Sequence, residues 1–252
     1  VVDESDVLSK MSSTGITEDA EVFEKGKAFA DYLYEDDVLY GVNRLGEYTL
    51  LCVPTTYDGV VNVKANTVRL YEKAFRKCSK ITGIVIISPE SLVEIGESCF
   101  EGAFRFGTVD FSECTNLTTI GAYAFKECRG MTKLMLPSSL ETISEGMCEG
   151  AVWLKSVDIN GCREIEDRAF YGCNLLTTVT NMDDVRRIGD LAFANCLNIS
   201  DLELPESLQE MGESCFENCT SLQNVKLNGT ISGISRYCFY GCSTLKSVSM
   251  SE

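Results

Sequence analysis

The sequence predicts a repeat solenoid of the α/β class. Right-handed coils of about 23 residues would carry short parallel strands joined by turn or 3-10 segments, under a helical N-terminal cap. Two observations predict this: a short phrase that recurs along the chain, and apolar columns that keep step with it. A third, the absence of any histidine, bears on what such a solenoid can do.

The phrase is Ala74-Phe75-Arg76-Lys77-Cys78, and it returns at Ala124–Cys128, Ala169–Cys173, Ala192–Cys196, Cys215–Cys219 and Cys238–Cys242. Degenerate copies stand at Cys99-Phe100 and Met147-Cys148. The phenylalanine column runs 75, 100, 125, 148 (a cysteine), 170, 193, 216 and 239, with spacings of 25, 25, 23, 22, 23, 23 and 23. Five residues earlier lies a column of Leu70, Ile95, Ile120, Ile143, Ile165, Ile188, Met211 and Ile234. Six and nine residues later lie columns that include Ile81, Phe106 and Met131, and Ile84, Val109 and Leu134. The unit reads L-x-x-V-x-L-P-x-x-L-x-x-I-G-x-x-A-F-x-x-C, whose core is that of a right-handed leucine-rich repeat.

Taken in chain order, residues 1–37 form an acidic segment. The first 40 residues hold eleven acids against Lys10, Lys25 and Lys27, half of the chain's net charge of −16. This is either a solvated terminus or an acidic partner-binding tail. Within it, Glu18 to Tyr34 carries an apolar stripe (Val22, Phe23, Phe29, Tyr32, Leu33) and predicts a helix capping the first coil. Residues 38–252 are the solenoid, beginning with a degenerate coil over 38–66, where Val38–Gly41, Thr49–Val53 and Gly59–Val63 read as strands. In each later coil V-x-L alternates as a half-buried strand does, and the glycine after the isoleucine marks a turn. Two extra residues follow the strand in the first two full coils, between Ile84 and Leu92 and between Val109 and Leu117, and predict a bulging loop at one edge.

The run Ile120-Gly121…Ala124-Phe125…Cys128…Leu134-Met135-Leu136-Pro137 resembles the repeat of the BspA-like leucine-rich repeat family, and the resemblance extends over about residues 38 to 250. It implies a surface or secreted protein of a bacterium or protozoan, of the kind implicated in adhesion.

The thirteen cysteines follow the repeat. Six occupy the column three after phenylalanine, Cys99, Cys215 and Cys238 replace alanine, Cys148 replaces phenylalanine and Cys162 replaces leucine; only Cys52 and Cys114 fall outside. A cysteine interchangeable with Ala or Phe reads as a small buried hydrophobe. Bridges between stacked cysteines such as Cys173, Cys196, Cys219 and Cys242 are sterically conceivable at the spacing of adjacent coils. Cys215, Cys219, Cys238 and Cys242 would suit zinc, but their C-x₃-C spacing arises from the repeat itself, so neither metal nor cofactor is expected.

The absence of histidine removes the commonest general base and zinc ligand, and no phosphate-binding glycine loop occurs, so an enzyme is not expected. The negative charge disfavours nucleic acid and anionic membranes, and no apolar run is long enough to span a bilayer. Asp183-Asp184 with Arg186-Arg187 reads as surface ion pairing. Trp153 stands at a coil corner, where it either packs or offers an apolar contact. Sequons occur at Asn116, Asn198, Asn218 and Asn228.

Alternation places the outward residues of the V-x-L strands on one face: Gly83/Val85, then Thr108/Asp110, Lys133/Met135, Ser156/Asp158, Thr178/Thr180, Asp201/Glu203 and Asn224/Lys226, then Ser247/Ser249. The pairs from Thr108 to Lys226 are the candidate binding face. It is polar, small in its side chains and without aromatics, which suits a broad protein contact better than a sugar pocket. The expected function is a non-enzymatic, adhesion-type protein-binding module; the alternative is a structural spacer within a larger surface protein.

Overall fold

The structure, a computed structural model, describes residues 29–250 other than 104, 106, 228–230 and 232. Phe106 and Asn228 therefore lie outside the described residues, as does residues 18–28 of the expected helix.

The remainder of that helix is a strand. β1 (Asp31–Glu35) pairs antiparallel with β2 (Val38–Val42) across Asp36-Asp37, both at positive φ (50° and 62°). Two successive left-handed residues suit a two-residue hairpin turn, whose twist matches that of the strands. The hairpin straddles the boundary expected at residue 37. β2 pairs antiparallel with β3 (Tyr48–Cys52), so residues 31–52 form a meander in place of an open first coil. There is no α-helix among the described residues.

From β3 onward every pairing is parallel. The strand face consists of β4 (Gly59–Val63), β6 (Ile81–Ile86), β8 (Thr108–Asp110), β10 (Lys133–Met135), β12 (Ser156–Asp158), β14 (Thr178–Thr180), β16 (Asp201–Glu203), β18 (Asn224–Leu227) and β19 (Ser247–Met250). The second side carries β5 (Thr67–Leu70), β7 (Glu94–Ile95), β9 (Thr119–Ile120), β11 (Thr142–Ile143), β13 (Glu164–Ile165), β15 (Arg187–Ile188) and β17 (Glu210–Met211). Its register joins like positions of successive repeats, such as Ile143, Ile165, Ile188 and Met211.

The third side is the A-F-x-x-C turn, and its conformation explains why no helix forms there. The residues two before and two after the phenylalanine position are left-handed in coil after coil: Tyr123 and Glu127, Arg168 and Gly172, Leu191 and Asn195, Ser214 and Asn218. Left-handed residues break any right-handed helix. They turn the N–H groups of Phe−2, Phe and Phe+2 toward the next coil, where Tyr123, Phe125 and Glu127 donate to the carbonyls of Glu145, Met147 and Glu149 at 2.8–2.9 Å. The same three bonds recur at each junction from Lys73 to Tyr240, for example from Leu191, Phe193 and Asn195 to Glu213, Cys215 and Glu217.

The core lies between the three sides. The phenylalanines stack coil on coil, with ring centroids 5.1 Å apart for Phe100–Phe125 and 5.2 Å for both Phe170–Phe193 and Phe193–Phe216. At the fourth position Met147 and Cys148, both buried, replace Ala and Phe, so volume lost from one column returns in the other. The two insertions differ in form. One forms a 3-10 turn at Pro89–Ser91. In the other, Cys114 is buried while Ser112, Glu113, Thr115 and Asn116 are exposed, which accounts for a cysteine outside the columns.

Candidate protein-binding face

The strands position the expected face by alternation. Within β8, Val109 is buried while Thr108 and Asp110 are exposed; within β10, Leu134 is buried beneath Lys133 and the half-buried Met135. Ser156 and Asp158 are half-buried, and Thr178, Thr180, Asp201, Glu203, Asn224 and Lys226 are exposed. Ladder register aligns them: Lys133 stands beside Thr108 and Ser156, and Met135 beside Asp110 and Asp158.

Side chains bond along the face from coil to coil. Asn224 donates to Asp201 at 2.9 Å, Lys226 Nζ lies 2.6 Å from Glu203, and Ser247 donates to Asn224 at 2.9 Å. Hydrogen bonds from Asn224 and then Ser200 hold the Asp201 carboxyl below the usual carboxylate range.

Three features escaped the sequence reading. The first is an apolar stretch at the N-terminal end of the face, where Val60, Val85 and Ile87 are 45%, 48% and 56% exposed. The unalternating runs Val60-Val61 and Val85-Ile86-Ile87 were the available signal. The second is that the face is three ladders, β4–β6, β8–β14 and β16–β19: β6 does not pair with β8, and β14 does not pair with β16. A cavity of about 520 Å³ opens between β14 and β16, lined by Val179, Asn181, Met182, Asp183, Glu203 and Leu204 among others. The third concerns the charge cluster. Arg187 ion-pairs with Glu164 (2.5 Å) and Glu210 (3.6 Å) on the flanking coils, rather than with Asp183 or Asp184.

The cysteines are buried except for the half-buried Cys242, and no disulfide joins them among the described residues. Their column has a polar role as well as an apolar one. Cys128, Cys196 and Cys219 donate their thiols to the carbonyls of Phe100, Phe170 and Phe193 on preceding coils, at 3.0–3.3 Å. Cys215 and Cys238 place their Sγ atoms 3.1 Å apart, and Cys219 and Cys242 form a second thiol pair that also reaches the phenylalanine carbonyls of Phe193 and Phe216. Trp153 is 55% exposed. The sequon asparagines Asn116, Asn198 and Asn218 serve as inter-coil donors, to Glu90, Asn174 and Asn195 respectively.

A stack of parallel coils with a leucine-rich core and an outward strand face defines a leucine-rich repeat solenoid. The chain matches the BspA type leucine rich repeat region in six copies, over residues 60–175 and 154–252, and belongs to that family. No curated protein matches it. Among solved structures it is similar to a leucine-rich repeat protein from Bacteroides ovatus, at 25% identity and TM-score 0.50, over 86% of this chain and 70% of that one. It is also similar to the T. pallidum leucine rich repeat protein (20% identity, TM-score 0.46, 86% and 81% covered). A leucine rich cell surface protein from Faecalibacterium prausnitzii aligns at 16% identity and TM-score 0.43, with 85% and 81% covered.

Proposed function

We propose that this chain is a non-enzymatic protein-binding module of a surface or secreted protein, and that it takes its partner on the strand face. The carrying observation is the run of outward side chains from Thr108 to Lys226, exposed or half-buried and aligned within two ladders that part between β14 and β16. Such a surface is broad and shallow, which suits a protein partner. Family membership supports the surface or secreted setting. The test is a panel of purified extracellular-matrix proteins and glycans, run with a salt series. Saturable binding of a protein, lost when Lys133, Asp158 and Glu203 are replaced together, supports the reading. No saturable binding at micromolar concentration overturns it in favour of a spacer.

A further inference from the structure

The break between β14 and β16 coincides with a change at one position of the repeat. In the other coils the residue after the V-x position is apolar, and it is buried at Phe111, Leu136, Ile159, Leu204 and Leu227 and half-buried at Ile86. Here it is Asn181, left-handed (φ 60°), exposed, and held by its Nδ2 at 2.7 Å from Asp158 Oδ1 on the preceding coil. The half-buried Met182 packs against the core after it.

The chain thus leaves the ladder one residue early. Leu136, Ile159 and Leu204 each donate to the next coil, and Lys155, Thr177, Gln223 and Lys246 each donate to the preceding one. Among the described residues no main-chain hydrogen bond from Asn181 or Ser200 crosses this junction. The other two sides stay closed: Gly212 keeps its bond to Ile188, and Phe170 keeps its bond to Ala192. At this junction only the strand side is parted.

Thr178 donates to Lys155, and the carbonyl of Thr180 accepts from Ile159. Directions alternate along a strand, so the N–H and C=O of Val179 between them face the cleft. Such a strand edge is a template for another chain. The cleft offers half-buried Val179 and Met182 over buried Leu204, with Asp183 and Glu206, and Glu203 in its ion pair with Lys226, around its mouth.

We propose that this cleft binds an extended, basic segment of a protein partner as an added strand against β14. The segment's alternate apolar side chains face the parted core, and its Lys or Arg side chains meet the acidic mouth. The chain's net charge of −16 disfavours an acidic segment or a nucleic acid. The inference deepens the protein-binding reading and rests on it.

The probe is an acetylated, amidated octapeptide alternating Val and Lys, compared with its Val/Glu counterpart and with the Val/Lys peptide N-methylated at alternate residues. Saturable binding is expected for the first, none for the second, and about tenfold weaker binding for the third, which keeps the charge but loses main-chain donors. Asn181→Leu with Met182→Pro rewrites the segment as the Leu-Pro of Leu136-Pro137 and Leu204-Pro205, and should close the ladder and abolish binding. Asp183→Lys with Glu206→Lys leaves the core intact and should weaken binding even if the first variant misfolds. Equal binding of the N-methylated peptide, unchanged binding by a folded closed variant, or no binding of any peptide overturns the proposal. A whole-protein partner that binds the closed variant normally overturns this inference alone and leaves the protein-binding reading standing.

Discussion

At Gly121 the neighbouring coil leaves no room for a side chain. A Cβ there would fall 2.5 Å from the main-chain nitrogen of Glu97, and Gly96, Gly189 and Gly212 are equally crowded by the coil before them. The glycine after the isoleucine is therefore fixed by close approach and not, as its place suggested, by a turn conformation. Gly121→Ala should lower unfolding free energy by about 1–3 kcal/mol, read as a lower urea midpoint. In other coils Tyr71, Ser144, Glu166 and Ser235 hold the same column, so the requirement belongs to the closely packed coils; Ser144 and Ser235 donate their hydroxyls to the carbonyls of Ile120 and Met211. The thiols make a second prediction. Burial pushes Cys78 and Cys162 from 9.0 up to about 12, and Cys114 to about 11. Because the folded values are raised, their contribution is complete below pH 9 and is lost as pH climbs from 9 toward 12, where the unfolded chain sheds its thiol protons first. Urea midpoints at pH 8 and pH 10.5 should differ, the alkaline one being lower; equal midpoints would mean that the thiols are not buried as described. The burial of these cysteines followed from their columns. Their thiol bonds did not, because each reaches a carbonyl more than twenty residues away in sequence.

At the scale of the element, Met147 and Cys148 exchange volume between two columns. Met147→Ala alone should destabilise by roughly 2–5 kcal/mol through the void it leaves. Met147→Ala with Cys148→Phe restores the Ala-Phe pair of the other coils and should recover most of that loss, a non-additivity measurable by thermal unfolding. The parted junction makes its own prediction. The amides of Asn181 and Ser200 should exchange hydrogen faster than Leu136 and Gln223, which hold the corresponding ladder bonds. The strands of the repeat were legible because a fixed period repeats the same inside-out alternation. The N-terminal cap was not: the stripe from Phe29 to Leu33 fits a helix, and only the Asp36-Asp37 turn and the partner β2 make it a strand. The cleft was legible in principle, since Asn181 stands where Leu136, Ile159 and Leu204 stand, but a polar residue in one copy does not by itself show that the strand ends there.

For the whole molecule, each coil is stabilised by its neighbours, so local damage propagates along the stack. The candidate face was readable residue by residue from Thr108 to Lys226, because alternation decides direction wherever a strand exists. Its break and its apolar N-terminal end depend on how coils meet and needed the three-dimensional structure. The charge of −16 favours a basic partner surface, so affinity should fall as salt rises. The most direct measurement compares a bound matrix protein's affinity for three forms of the chain. These are the wild type, a face variant (Asp110→Lys with Lys133→Glu) and a second-side variant (Glu141→Lys with Arg163→Glu), which reverses an ion pair off the strand face. Loss of binding in the face variant alone, with all three equally stable, is the predicted result. Equal affinity for all three, or loss only in the second-side variant, would contradict a strand-face binding module.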